Sequence, residues 1–238
     1  MCYHYSLKTE ARAIYKHYLG DAPEMEHDFL CPAHVSCFDS PPPVMPVVTN
    51  DKPGEIQGFK WGLIPFWSKE GQQKYNTANA MVETVLEKPT WREPIKKRRC
   101  LVPATGFFEW RHLGKEKYPY RIFHPEDSIF SFAGIWDTWV NKDTGEIINS
   151  YSILTMPANS FMERIHNTKK RMPVILDKTL EKYWLDVNSP IKDVLAQVAG
   201  SGSQLLTAHT IRKDFSRLGG FADEITESVV YPELELYD

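Results

Sequence analysis

Apolar residues along this 238-residue chain fall mostly into short runs rather than long helical stripes. Between Thr9 and Leu19 the positions Ala11, Ile14, Tyr15, Tyr18 and Leu19 recur at helical spacing, and Gly20 follows as a stop. Residues 79–87, 159–165, 179–185 and 192–199 read as further helices. Strand-like runs occupy 57–64, 101–110, 118–123, 129–139, 151–155, 173–176 and 205–211. Asp143-Thr144-Gly145 is a hairpin turn between two of them. The stretch 41–46, Pro-Pro-Pro-Val-Met-Pro, must be extended or irregular, because proline removes N–H donors and fixes φ. Helices scattered among many strands, without a βαβ rhythm, predict an α+β fold. The expectation is a single domain over 2–221 with a mainly antiparallel, barrel-like sheet and peripheral helices. An acidic C-terminal tail follows over 222–238.

Composition agrees with a packed fold. The chain is 42% hydrophobic and 13% aromatic, enough for a sizeable core and against wholesale disorder. No apolar stretch approaches the roughly 18–20 residues of a membrane span, and no secretory pattern opens the chain. Four cysteines are too few for a disulfide scaffold of this size. The expected setting is therefore reducing and cytoplasmic, at the nucleoid in a bacterium, and nothing in the sequence asks for more than a monomer. The net charge of -3 argues at first against a nucleic-acid partner. Its distribution changes that. Six acids and no Lys or Arg lie in 222–238, so the remainder holds 28 basic against 25 acidic residues, a balance of +3. Basic runs occur at Arg92 with Lys96-Lys97-Arg98-Arg99 and at Lys169-Lys170-Arg171; such runs are also ordinary solvated faces.

Several residues carry candidate chemistry. Cys2 follows the initiator methionine, and the residue is small enough for Met1 to be trimmed. The product is an N-terminal 1,2-aminothiol, with an amine pKa of about 7.7–8.0 and a thiol pKa of about 8.5. Such a pair captures an aldehyde: nitrogen forms a Schiff base and sulfur closes a five-membered thiazolidine. An internal cysteine cannot do this, because its nitrogen is an amide. The competing reading is a thiol that merely packs. Trp61-Gly62-Leu63-Ile64-Pro65-Phe66-Trp67 is either a core strand or a stacking platform for unpaired bases. Gly106-Phe107-Phe108-Glu109-Trp110 sets one carboxylate in an aromatic run. Buried, Glu109 becomes a proton carrier near neutral pH; facing outward, it is an ordinary strand residue. His166 precedes the basic turn and the apolar string Met172-Pro173-Val174-Ile175-Leu176, and imidazole suits proton transfer.

Together with Met1-Cys2, Asn79-Ala80 and Glu83-Thr84, these strings resemble the SRAP (SOS-response-associated peptidase) family in their order, from Cys2 to about Ile211. The resemblance implies a DNA-damage protein that cross-links covalently to abasic sites in single-stranded DNA, without a cofactor or metal. It implies that Cys2 is the nucleophile once Met1 is gone and that Asn79 holds the Cys2 end of the site. It further implies that Glu109 moves protons at the reacting amine and sugar, and that His166 assists ring opening and Schiff-base formation. Trp61, Pro65, Phe66 and Trp67 are implied to form part of a DNA-facing wall, with Arg171 and Met172 beside the site.

Two features depart from the family pattern. Met81 stands where a basic phosphate contact is usual, leaving Lys74, Arg98 or Arg171 to supply that charge. Thr168-Lys169-Lys170 is an insertion between Asn167 and Arg171. Cys31, His34 and Cys37 have zinc-knuckle spacing, but structural zinc takes four ligands and no pair nearby completes the set, so they are expected to be a structural loop. Two other functions stay open at this level: a self-processing cysteine peptidase, and a non-catalytic single-stranded DNA-binding module.

Overall fold

The structure, a computed structural model, describes residues 2–20, 29–71, 76–126, 128–199 and 206–235. Met1, Lys74 and the first residue of the 205–211 run lie outside the described residues. In chain order the first elements are β1 (His4–Ser6), α1 (Ala11–Leu19), β2 (Val35–Ser36), β3 (Val44–Thr49), β4 (Lys52–Trp61), β5 (Asn79–Met81) and α2 (Pro94–Lys97). Then come β6 (Arg99–Ala104), β7 (Gly106–Leu113), β8 (Glu116–Phe123), β9 (Phe130–Val140), β10 (Ile147–Pro157) and α3 (Ser160–Ile165). The last are β11 (Arg171–Pro173), β12 (Ile175–Leu176), α4 (Lys178–Leu185), α5 (Ile191–Ala199), β13 (Thr207–Thr210) and α6 (Pro232–Glu235).

Five strands close on themselves. β3 pairs antiparallel with β4 and β6, β6 with β9, and β9 with β10, while β10 returns to β4 in parallel. Closure leaves these strands no open edge against one another. The ring is extended by β11 and β5 along β10 and by β12 along β9. A second antiparallel sheet runs in the order β13-β8-β7-β1-β2. The α+β, barrel-like architecture expected from the short apolar runs is the one observed.

The 101–110 run, read as one strand, is two. Arg99–Ala104 belongs to the barrel and Gly106–Leu113 to the second sheet, with a change of direction at Thr105, whose N–H bonds to the Ser6 carbonyl. The helix expected over 79–87 is a larger difference. Asn79, Ala80 and Met81 pair in parallel with Ile153, Leu154 and Thr155, and turns follow. Strand pairing at the barrel edge overrides the local helical spacing, and it fixes where the Asn79 side chain points.

Caps explain where two helices start. The Asn159 side chain accepts from Met162 N–H at the start of α3, and the Asp177 side chain accepts from Thr179 and Leu180 N–H at the start of α4. The core inside the barrel is aromatic: Trp61 lies edge-on to Tyr5 at 4.9 Å and stacks on Tyr151, and the Tyr5 and Tyr151 hydroxyls meet at 2.9 Å. A smaller cluster of Ala33, Phe108, Ile211, Phe215 and Ile225 covers the other face of the second sheet. β7 separates the two clusters by its period-2 alternation, Phe107 facing the barrel and Phe108 the outer cluster.

The acidic C-terminal segment is packed rather than loosely solvated over its described length. Asp223 pairs with Lys8 at 2.7 Å, Ile225 and Leu234 are buried, and the Tyr231 hydroxyl donates to the Ile211 carbonyl at 2.9 Å.

Candidate active site

Cys2 sits just before β1, wholly buried, on the barrel side of the second sheet. Its carbonyl accepts a hydrogen bond from Asn79 Nδ2 at 2.9 Å, so the β5 strand fixes the position of the chain end. Asn79 Oδ1 is buried and has no hydrogen-bond partner among the described residues. Its acceptor capacity is open beside Cys2. The thiol contacts the His4 carbonyl at 3.7 Å. Burial pushes the Cys2 thiol well above its ordinary range, and the neighbouring Glu109 carboxylate pushes it in the same direction.

Glu109 projects from β7 on the face shared with Phe107, opposite the outer cluster. It is 4% exposed, and burial pushes its carboxyl up to about 7. A carboxyl with that value is part acid and part base at neutral pH.

His166 closes α3, and its Nδ1 lies 2.9 Å from the Arg171 carbonyl and 3.6 Å from Glu109 Oε1. A carbonyl oxygen only accepts, so Nδ1 carries the hydrogen and Nε2 keeps its lone pair. Burial lowers the ring's pKa to about 4, so the imidazole is neutral at pH 7. Cys2, Asn79, Glu109 and His166 thus come from β5, β7 and the ends of β1 and α3 to meet at one buried place.

The residues expected to face DNA divide sharply. Phe66 and Trp67 are 58% and 53% exposed. Gly62, at φ 114, turns the chain out of β4 toward this ridge, a conformation that disfavours any side chain. The Phe66 N–H bonds to Asp137 Oδ2 at 3.0 Å, and the Arg98 guanidinium lies 3.3 Å from Asp137 Oδ1 and 6.0 Å from the Phe66 ring centre. The ridge divides two grooves. One, of about 660 Å³, runs toward Trp139 and the β9–β10 turn; the other, of about 330 Å³, runs toward Pro89 and Arg92. Neither groove is lined by Cys2, Glu109 or His166.

Trp61, Pro65 and Met172 do not face outward. All three are buried, and Trp61 donates its indole N–H to the Ala78 carbonyl at 3.1 Å inside the barrel. The expected place of Trp61 and Pro65 in a DNA-facing wall, and of Met172 as a DNA contact beside the site, is corrected to a place in the packing. Arg171 is also not an open phosphate contact. It is buried, forks onto both oxygens of Glu83, and donates to the Thr155 carbonyl at 2.8 Å. Its role here is to pin β11 to β10 and to present the carbonyl that orients His166. Met81, at the position of the missing basic residue, is 36% exposed.

Sequence reasoning missed Asp137 and the pairing of Glu83 with Arg171, naming Glu83 only within the Glu83-Thr84 string. Asp137 had a signal, a lone carboxylate in the apolar run Ile135-Trp136-Asp137. The pairing had none, because the two residues are 88 positions apart. Among the described residues no cluster of three or more His, Cys, Asp or Glu side chains is arranged to hold a metal. The ring of His34 instead stacks on that of His4, with their nitrogens 2.9 Å apart.

Residues 1–217 match the family described as SOS response associated peptidase. The chain belongs to the SRAP family. It is 37% identical over 153 residues to abasic site processing protein YoqW of Bacillus subtilis, covering 64% of this chain and 66% of that one. It is 36% identical over 155 residues to abasic site processing protein HMCES of Gallus gallus, covering 55% of this chain and 45% of that one. The chain thus spans just under two thirds of the Bacillus relative and under half of the avian one. A crystal structure of a Bacteroides thetaiotaomicron protein superposes with a TM-score of 0.82 at 36% identity, covering 96% of this chain and all of that one. One from Bordetella bronchiseptica gives 0.72 at 26% identity, covering 89% of this chain. No helix of the described residues is long and apolar enough to cross a membrane.

Proposed function

We propose that this SRAP protein processes abasic sites in single-stranded DNA by capturing them covalently on Cys2. The observation that carries the reading is the meeting of a buried thiol, a carboxyl with a pKa of about 7 and a neutral imidazole at the amino-terminal end of the chain.

Removal of Met1 frees the Cys2 amine, and Asn79 holds it through the Cys2 carbonyl while offering Oδ1 as an acceptor. His166 Nε2 takes the C1′ hydroxyl proton of the closed sugar and passes it to the ring oxygen as the C1′–O4′ bond breaks and the aldehyde opens. The amine nitrogen attacks the aldehyde carbon, and Glu109 carries one N–H proton to the former carbonyl oxygen, giving a carbinolamine. Glu109 then takes the second N–H proton and delivers it to that hydroxyl, so that water leaves and a neutral imine remains. The Cys2 sulfur then adds to the same carbon, and the thiol proton ends on nitrogen. One water is lost in total and the product is a thiazolidine. Loss of the imine removes the electron sink that β-elimination and strand breakage need.

Phe66 and Trp67 serve as the stacking ridge for neighbouring bases, with Arg98 braced behind them. Each such stack is worth about 1–3 kcal/mol. The protein acts in this reading as a cytoplasmic monomer, and its one hydrolytic step is release of Met1. The test is a heat-stable adduct on single-stranded DNA carrying one abasic site. Wild type should form it and Cys2→Ala should not. An adduct retained by Cys2→Ala would overturn the mechanism, and binding by both proteins without adduct would make the chain a DNA-binding module.

A further inference from the structure

His166 lies at the head of a turn that a side-chain amide ties to another strand. Asn167 Oδ1 accepts from the His112 N–H at 3.0 Å, and Asn167 Nδ2 donates to the His112 carbonyl at 2.7 Å. The amide therefore reproduces the N–H and C=O pair of a neighbouring strand residue. It does so along β7, where β1 pairs with Gly106 and Phe107 and not as far as His112. β7 is also the strand that carries Glu109.

The other bonds of the turn are local. Lys170 N–H bonds to the His166 carbonyl at 2.9 Å, Ala158 N–H to the Lys170 carbonyl at 2.9 Å, and His166 Nδ1 to the Arg171 carbonyl. These set the turn's own shape. Lys170 adopts φ 49, a left-handed conformation that disfavours a side chain, so the turn holds a strained shape that outside ties help to keep. Asn167 supplies a directional tie from the turn to β7, and it does so from an exposed position where no core packing depends on it.

We propose that Asn167 is a positioning residue, clamping the His166 turn against the Glu109 strand so that imidazole and carboxylate keep their working separation. The proposal rests on the reading of Glu109 and His166 as the proton-transfer pair. Misplacement of such groups by about 1 Å costs up to about a hundredfold in rate.

The experiment uses Asn167→Ala and the near-isosteric Asn167→Leu in the full chain with Met1 removed. One arm measures single-turnover adduct formation against protein concentration. The saturating rate constant should fall by about tenfold or more, while the half-saturating concentration stays within about twofold of wild type. A second arm follows the Glu109 carboxyl by NMR across pH, without DNA. Its midpoint should move down toward the ordinary carboxylate range as the loosened turn admits water, a change that general destabilisation does not produce. Wild-type rate constants and an unmoved midpoint would overturn the proposal. So would a raised half-saturating concentration with an unchanged rate constant, which would make Asn167 a DNA contact, and so would unfolding of both variants. Should wild type form no adduct while the midpoint still moves, the covalent reading fails and the clamp stands.

Discussion

Replacing Glu109 by Gln keeps the side chain's shape and removes its charge, which isolates the energetic consequence of burying a carboxyl here. Burial pushes that carboxyl from an ordinary 4.5 up to about 7. An unfolded chain releases the proton near the lower value, whereas the folded protein holds it to the higher one. Between the two the folded state binds more protons, so this group's contribution to stability falls as pH rises from about 4.5 through about 7. Above that window the whole penalty persists, about 3 kcal/mol at 1.36 kcal/mol per pKa unit. Urea unfolding of wild type and Glu109→Gln between pH 4 and pH 8.5 reads the difference directly. The variant should be more stable by about 3 kcal/mol at the alkaline end, a gain of roughly 6–12 °C in Tm for a chain of this size. The gap should close toward pH 4. A gap that does not change with pH, or a wild type that gains on the variant as pH rises, would refute the assignment of a buried carboxyl titrating near neutrality. The same variant should lose cross-linking, so the residue that weakens the fold is the one the chemistry uses.

The neutral His166 gives the opposite dependence. Its ring is lowered by burial from 6.5 to about 4, so its contribution is intact above about 6.5 and is lost as pH falls toward 4; His166→Gln should flatten that part of the profile, and parallel profiles would contradict it. The two tryptophans at the ends of the Trp61–Trp67 string should separate cleanly. Trp61→Ala removes a buried core ring and should cost about 3–5 kcal/mol in urea unfolding. Trp67→Ala should leave stability within about 0.5 kcal/mol yet weaken single-stranded DNA binding by about 1–3 kcal/mol; equal destabilisation by both would contradict the inside and outside placement.

What the sequence made legible was local. Helices α3 and α4 show as apolar spacing over 159–165 and 179–185, and most barrel strands show as apolar runs between turn residues. The parallel pairing that closes the barrel has no local signature, because β4 and β10 are joined only through register set by the whole sheet. The same cause hid the strand at Asn79. Its stretch has helical spacing, but three residues of it complete a sheet edge against β10. A hydrophobic run reads alike whether it serves one sheet or two, which is why the break at Thr105 was invisible. Trp61 illustrates the limit for the site. Composition offered a core strand or a stacking face, and only the direction of the side chain decided between them. Cys2, Glu109 and His166 were legible as chemistry, since a charged or nucleophilic group in an apolar or terminal setting stands out. The pairing of Glu83 with Arg171 and the Asn167 tie to His112 depend on distant segments meeting and leave no pattern in the chain.

The central claim is that the Cys2 amine and thiol both end bonded to the abasic carbon. Intact mass of the purified adduct, formed with and without sodium borohydride, tests this most directly. The wild-type adduct should lack Met1, should equal protein plus DNA less one water, and should be unchanged by borohydride, because a thiazolidine has no imine to reduce. Cys2→Ser should give an adduct only when borohydride traps the imine, with the mass of one reduced double bond. A wild-type adduct that retains Met1, or one that gains hydrogen on reduction, would contradict the account.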